Sequence, residues 1–204
     1  MIRSLLAALA AAFFLIPATG QSQPIEQTVE DHRDDRGEID RSNHGFIHRP
    51  SGYAFPAFLG EMPARKTYTY GPGNASLYYT LYGGANGDAW LSLYVYPALT
   101  SVEAHSVEIE EALLGRMPGT AIEPPHGAPA TPGGAAGKWY DSTADGIAVL
   151  SGYRLVRSGD WFIKVRVTVP KSGGQSALDR ALRGFAAVPW SVPPEPARMR
   201  AFGR

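Results

Sequence analysis

The chain has no cysteine among its 204 residues. That absence excludes disulfides, thiolate metal sites and a thiol nucleophile, and it removes the residue on which a bacterial lipoprotein anchor is built. Charge of neither sign is in excess: 19 Lys and Arg face 19 Asp and Glu, for a formal net charge of +0. Binding nucleic acid draws on a surplus of basic residues on one face, so no nucleic-acid partner is expected. Long apolar runs are missing except near the start. There Leu5 to Ile16 reads LLAALAAAFFLI, about a dozen residues where a bilayer span needs roughly 20.

That run has the flanks of a secretory signal peptide. Arg3 supplies a positive n-region, Pro17 breaks the helix, and Ala18 and Gly20 place small residues at −3 and −1 before Gln21. Residues 1–20 are therefore expected to be a removable leader. The product is expected to be periplasmic or secreted in a bacterium, with no stable membrane anchor after cleavage. The remaining length, about 180 residues, suits one domain with tails and a core that needs no staples.

Residues 21–50 are polar and charged, with a dense stretch from Glu30 to Arg36. Little there offsets the entropy of ordering, and a mobile linker is expected. A single domain is expected over residues 51–190, opening with Tyr53, Phe55 and Phe58. Residues 191–204, Pro-rich and basic, read as a loose tail.

Inside the domain, Arg65 to Tyr70, Ala75 to Tyr82 and Ala89 to Tyr96 are rich in Tyr, Thr, Leu and Val. Gly- and Asn-rich segments at 71–74 and 83–88 separate them, predicting an antiparallel meander. Thr100 and Glu103 have capping-box spacing, and Val102, Ile109 and Leu113 recur at helical spacing, predicting a helix from Ser101 to Arg116. Pro118 to Gly137 is expected to be a long loop. Lys138 to Thr143, Ile147 to Arg157 and Trp161 to Val169 predict a second meander, with turns at Asp145-Gly146 and Ser158-Gly159-Asp160. In its last strand Ile163, Val165 and Val167 alternate with Phe162, Lys164, Arg166 and Thr168, so that strand is half-buried with a basic outer side. Leu178, Leu182 and Phe185 predict a closing amphipathic helix from Gln175 to Ala187. The expected order is three strands, helix, three strands, helix. The fold class is α+β, an antiparallel sheet covered by helices.

That order, with Ala89 to Pro97 (AWLSLYVYP) before a helix and Gly159 to Pro170 (GDWFIKVRVTVP) feeding the terminal helix, resembles the small sandwich of the photosystem II PsbP proteins and the Mog1 family. The resemblance covers roughly Tyr53 to Trp190. It implies a non-enzymatic binding or assembly factor, and it carries over no functional residue.

Four groups of residues invite chemistry. Asp31, His32, Asp34, Asp35, Glu38, His44 and His48 offer metal-ligand types. Gly45 and Pro50 oppose a helix there, the carboxylate spacing misses a calcium loop, and no metal or other cofactor is expected. Catalysis by His105 or His126 with Asp141 or Asp145 is an open alternative, although Ser151 lacks the Gly-x-Ser-x-Gly elbow and no catalytic residue is assigned. Gly71-Pro72-Gly73-Asn74 lacks the following helix that a phosphate cradle needs, and it reads as a hairpin turn.

The fourth group is aromatic. Tyr68 and Tyr70, Tyr78 and Tyr82, and Trp90, Tyr94 and Tyr96 fall on one side of their respective strands. Aligned by register, they form an aromatic sheet face suited to a glycan, a peptide or an envelope protein. Arg154, Lys164 and Arg166 add charge if they share that face. Burial of the same face under a helix or under the Tyr53 to Phe58 segment is the competing expectation. The functional expectation is a non-catalytic binding or assembly module of the bacterial envelope, and the alternative is a periplasmic hydrolase using a His/Asp pair.

Overall fold

A computed structural model describes residues 31–42, 45–81 and 88–194. The leader over residues 1–20, the first part of the expected linker, Tyr82 with most of the 83–88 turn, and the tail beyond residue 194 lie outside the described residues.

The fold is α+β, a largely antiparallel sheet with two helices. The first expected meander is present as β6 (Met62–Gly71), β7 (Asn74–Thr80) and β8 (Trp90–Pro97), and the second as β10 (Ala136–Ala144), β11 (Ile147–Ser158) and β12 (Trp161–Pro170). The two meanders join where β8 pairs antiparallel with β12, Val95 opposite Ile163 and Tyr94 opposite Lys164. Helix α1 (Val102–Arg116) connects them on one face, and α2 (Gly174–Ala186) closes the other. The α1 cap lies one residue later than the capping-box spacing suggests: the Ser101 hydroxyl accepts from the Ala104 N–H at 3.2 Å.

Two segments depart from expectation. The stretch expected to be a linker contributes β1 (Asp31–Arg33), β2 (Ile39–Ser42) and β3 (Gly45–His48). β1 adds to the main sheet parallel to β6. β2 and β3 join β4 (Tyr53–Pro56) in a separate three-stranded sheet, and β5 (Phe58–Leu59) pairs with β6. Few apolar residues suffice here because each one docks on a large prebuilt surface. Ile39, Phe46, Tyr53 and Phe55 are all buried in the main core, and a fully buried aromatic or aliphatic side chain contributes about 1.5–3 kcal/mol. Polar groups of the segment are spent locally: the Asp34 carboxylate accepts from the N–H groups of Glu38 and Ile39, both at 2.9 Å. The second departure is β9 (Gly119–Ile122), which lies within the expected long loop and pairs along β10 at the sheet edge. The start of the expected tail is also held, since the Val192 N–H donates to the Ser158 hydroxyl at 2.9 Å.

The main core lies between one face of the large sheet, α2 and the small sheet. Leu77, Leu91, Leu93, Val95, Ile163, Val165 and Val167 come from the large sheet. Ala177, Ala181 and Phe185 form the stripe of α2 that meets them. The two alanines let the helix lie close, and a Cβ at Gly184 would collide with the Met62 methyl group. A second cluster forms on the opposite face, where Val102, Ile109 and Leu113 of α1 cover Tyr140, Tyr153, Leu155 and Phe162. Among the described residues no helix is long and apolar enough to cross a membrane.

Candidate functional site

The face opposite the main core divides in two. α1 packs against β10 and β11 and buries the half that includes Phe162 and Tyr153. The half carried by β6, β7 and β8 is left uncovered by the helix except at Tyr96, whose ring lies 5.3 Å from that of His105. α1 meets the expected aromatic face at Tyr96, whose hydroxyl is 2.9 Å from His105 Nε2, whereas Phe162 and Tyr153 are not among the residues expected on that face. Between α1 and the open half runs a groove of about 500 Å³.

Strand pairing builds the groove floor. Tyr68, Ser76, Tyr94 and Lys164 lie in register across β6, β7, β8 and β12. One pleat away along β12 lie Phe162, opposite Tyr96, and Arg166, opposite Ser92. Tyr94, Tyr96, Lys164 and Arg166 line the floor, Tyr70 forms a rim, and His105, Glu108, Ile109, Leu113 and Arg116 of α1 form the wall. Tyr68 and Tyr70 stack with ring centres 6.2 Å apart, and the Tyr70 and Ser76 hydroxyls are hydrogen-bonded at 2.9 Å. The Lys164 ammonium lies 4.3 Å from the Tyr94 ring centre and 5.5 Å from that of Tyr96.

Of the residues expected on this face, Tyr70, Tyr94, Tyr96, Lys164 and Arg166 converge on the groove. Tyr68 lies on the same face behind Tyr70, with the Arg33 guanidinium 5.9 Å from its ring centre. Trp90 shares the face but sits opposite Thr80 and Thr168, away from the groove. Arg154 does not belong to it. Paired with Val165, it points to the main core, where it is buried, stacks on Phe185 and Trp190, and donates to the Pro129 carbonyl.

The groove is cationic at its floor and at one end. Three cations, Lys164, Arg166 and Arg116, line it with a single carboxylate, Glu108. Burial, then Arg166 and Arg116, push the Lys164 ammonium down to about 8. The Arg166 Nε is buried and has no hydrogen-bond partner. The other end carries the Glu108 carboxylate and is internally satisfied. His105 lies flat on Phe162, with ring centres 5.0 Å apart and planes 6° from parallel. Its Nδ1 is 2.7 Å from the Glu108 carboxylate and its Nε2 is 2.9 Å from the Tyr96 hydroxyl. A carboxylate only accepts, so Nδ1 carries a proton. In the neutral ring Nε2 then accepts from Tyr96, whose hydroxyl burial pushes up.

As groove residues, Glu108, Arg116 and Ile109 escaped sequence reasoning, which placed the last two only in the helix. The i, i+3 spacing of His105 and Glu108 was a signal for the first. The groove position of Arg116 depends on how α1 sits and has no sequence signature.

The other expected pairings do not assemble. Asp141 is 2.7 Å from Lys171, Asp145 occupies the β10–β11 turn with φ 49°, and His126 is exposed on the loop after β9. Among the described residues no group of three His, Asp or Glu side chains converges on a metal-sized site. Asp34 is engaged as described above, and His48 is buried with Nδ1 2.8 Å from the Ser51 hydroxyl. Gly71–Asn74 is a hairpin turn between β6 and β7, and Gly73 has φ +71°, a conformation that favours glycine. Compared with known proteins, the chain matches no family model and no curated sequence.

Proposed function

We propose that this protein is a binding or assembly module of the bacterial envelope, exported by its leader, which recognises its ligand in the groove between α1 and strands β8 and β12. The observation that carries this reading is the groove itself. It pairs aromatic and aliphatic surface with cations that have no carboxylate partner among the described residues. Such a concave, mostly apolar site with a few polar groups is the usual form of a small-ligand pocket. The fold is read, on the same footing, as a sandwich of the PsbP and Mog1 kind. Its support is the sequence β6-β7-β8-α1, then β10-β11-β12-α2, with helices on opposite faces.

Filling the groove tests the reading. Ala112 lines the groove from the exposed side of α1, so Ala112→Trp occupies space without entering a core. The tagged protein and this variant are each used to capture periplasmic material, with circular dichroism checking the fold. Loss of the captured ligand or partner in a folded variant is expected. A folded variant that retains everything the wild type captures refutes the groove as the site.

A second reading, catalysis, attaches to the Glu108–His105–Tyr96 chain, a carboxylate orienting an imidazole against a hydroxyl at the groove end. It predicts turnover of an ester or phosphoester that His105→Gln abolishes. Binding without turnover across such a screen favours the first reading.

A further inference from the structure

We propose that the groove binds an amphipathic organic anion, its carboxylate or phosphate head held by Lys164, Arg166 and Arg116 and its apolar body laid between Tyr94 and Leu113. The inference rests on the groove being the binding site and adds the chemistry of what enters it.

Pairing of charge across the molecule supports it. Several basic side chains elsewhere meet carboxylates, Lys138 with Glu110 at 2.8 Å, Lys171 with Asp141 at 2.7 Å and Arg183 with Glu61 at 2.6 Å, and the buried Arg154 meets the Pro129 carbonyl and two aromatic rings. Lys164, Arg166 and Arg116 have no carboxylate partner among the described residues. They are near enough that Arg166 and Arg116 both disfavour the charged form of Lys164. Lys164 and Arg166 are partly buried, and such cations placed together without a paired carboxylate raise the free energy of the empty site. An incoming anion relieves that repulsion.

The groove's asymmetry supplies the second half. His105 and Arg116 are 11 residues apart on α1, about 16 Å at 1.5 Å per residue. The Arg116 end is cationic. The His105 end has its hydrogen bonds satisfied internally and offers ring surface. A ligand charged along its whole length leaves that end unmatched, and a neutral ligand leaves three cations unmatched. A head-and-tail anion matches both.

Calorimetric titration of the full mature chain with octanoate, octyl phosphate and 1-octanol tests this. The expected result is 1:1 binding of an anion at least about tenfold tighter than the alcohol, weakened by added salt. The carboxylate and phosphate arms identify which head the site prefers. In Lys164→Met/Arg166→Met the anion should fall to the affinity of the alcohol, while octanol binding stays unchanged. Arg116 is exposed, so Arg116→Gln keeps the fold should the double variant not, and it should weaken the anion alone by several fold. Octanol binding as tightly as the anions, anion affinity insensitive to these substitutions, or no binding of either anion would each overturn the inference. The Ala112→Trp capture experiment judges the groove separately, so a peptide or glycan ligand there would sink the anion and leave the site standing.

Discussion

The Lys164 ammonium lies 4.3 Å from the centre of the Tyr94 ring, the two residues being direct cross-strand neighbours on β12 and β8. The ring face attracts a cation, while burial and the neighbouring Arg166 and Arg116 oppose its charge. Opposition wins, and the group falls to about 8 from an ordinary 10.5. Because the unfolded chain holds that proton up to the ordinary value, stability should rise as pH climbs from about 8 to 10.5. Nitrogen NMR of labelled lysines should find one titrating near 8, and Arg116→Gln should move it upward. A Lys164 titrating with the other lysines contradicts the placement.

Tyr94 and Trp90 separate the groove from the aromatic face as a whole. Both lie on the outer side of β8, but only Tyr94 lines the groove. Tyr94→Leu should weaken a groove ligand by about tenfold, the scale of a lost ring–cation or stacking contact. Trp90→Leu should leave the ligand's affinity unchanged. Equal losses in a binding titration would mean that the whole face, not the groove, is the recognition surface.

The two meanders were legible because strict alternation and Gly- or Pro-rich turns are local signals. The groove floor was legible for the same reason: residues two apart share a side, which brought Tyr94 with Tyr96 and Lys164 with Arg166. Arg154 went astray through one turn residue. With Ser158-Gly159-Asp160 read as the turn, the parity of β11 against β12 was open. Observed pairing of Ser158 with Trp161 leaves only Gly159 and Asp160 in the turn and sends Arg154 to the core, since a slip of one residue flips a strand. The ordering of residues 31–42 and 45–48 was hidden because composition averages over a segment, whereas Ile39, Phe46 and His48 become buried one at a time through distant partners. The depth of the groove is a property of how α1 tilts on β10 and β11, which no local pattern encodes.

Gly152 tests the packing beneath the long loop. A Cβ placed there would stand 2.5 Å from the Trp139 ring, and that ring is buried against Phe185, with centres 6.1 Å apart. Gly152→Ala must push the indole from its place, an overpacking that costs about 1–3 kcal/mol. Urea unfolding should show the lower midpoint with an unchanged slope. A variant as stable as the wild type would show that Trp139 has room to move.

His48 should make the fold acid-sensitive. The ring is fully buried, edge-on to Trp161 at 5.5 Å, with Nδ1 bonded to Ser51 and Nε2 without a hydrogen-bond partner, 4.0 Å from the Glu38 carboxylate. Burial lowers it to about 4, and the nearby charges of Glu38 and Asp34 only partly counter this. The unfolded chain takes up the proton near 6.5 and the folded chain near 4, so the stabilisation is complete above 6.5 and is lost as pH falls through that window. The full loss is about 3 kcal/mol at 1.36 kcal/mol per unit. Glu38 also accepts from the Gly73 N–H at 3.1 Å, so the small sheet and the β6–β7 hairpin should loosen together. Chemical unfolding of the wild type and of His48→Asn at pH 7 and pH 4.5 checks this. The wild type should lose more stability than the variant, and parallel losses would rule out His48 as the source.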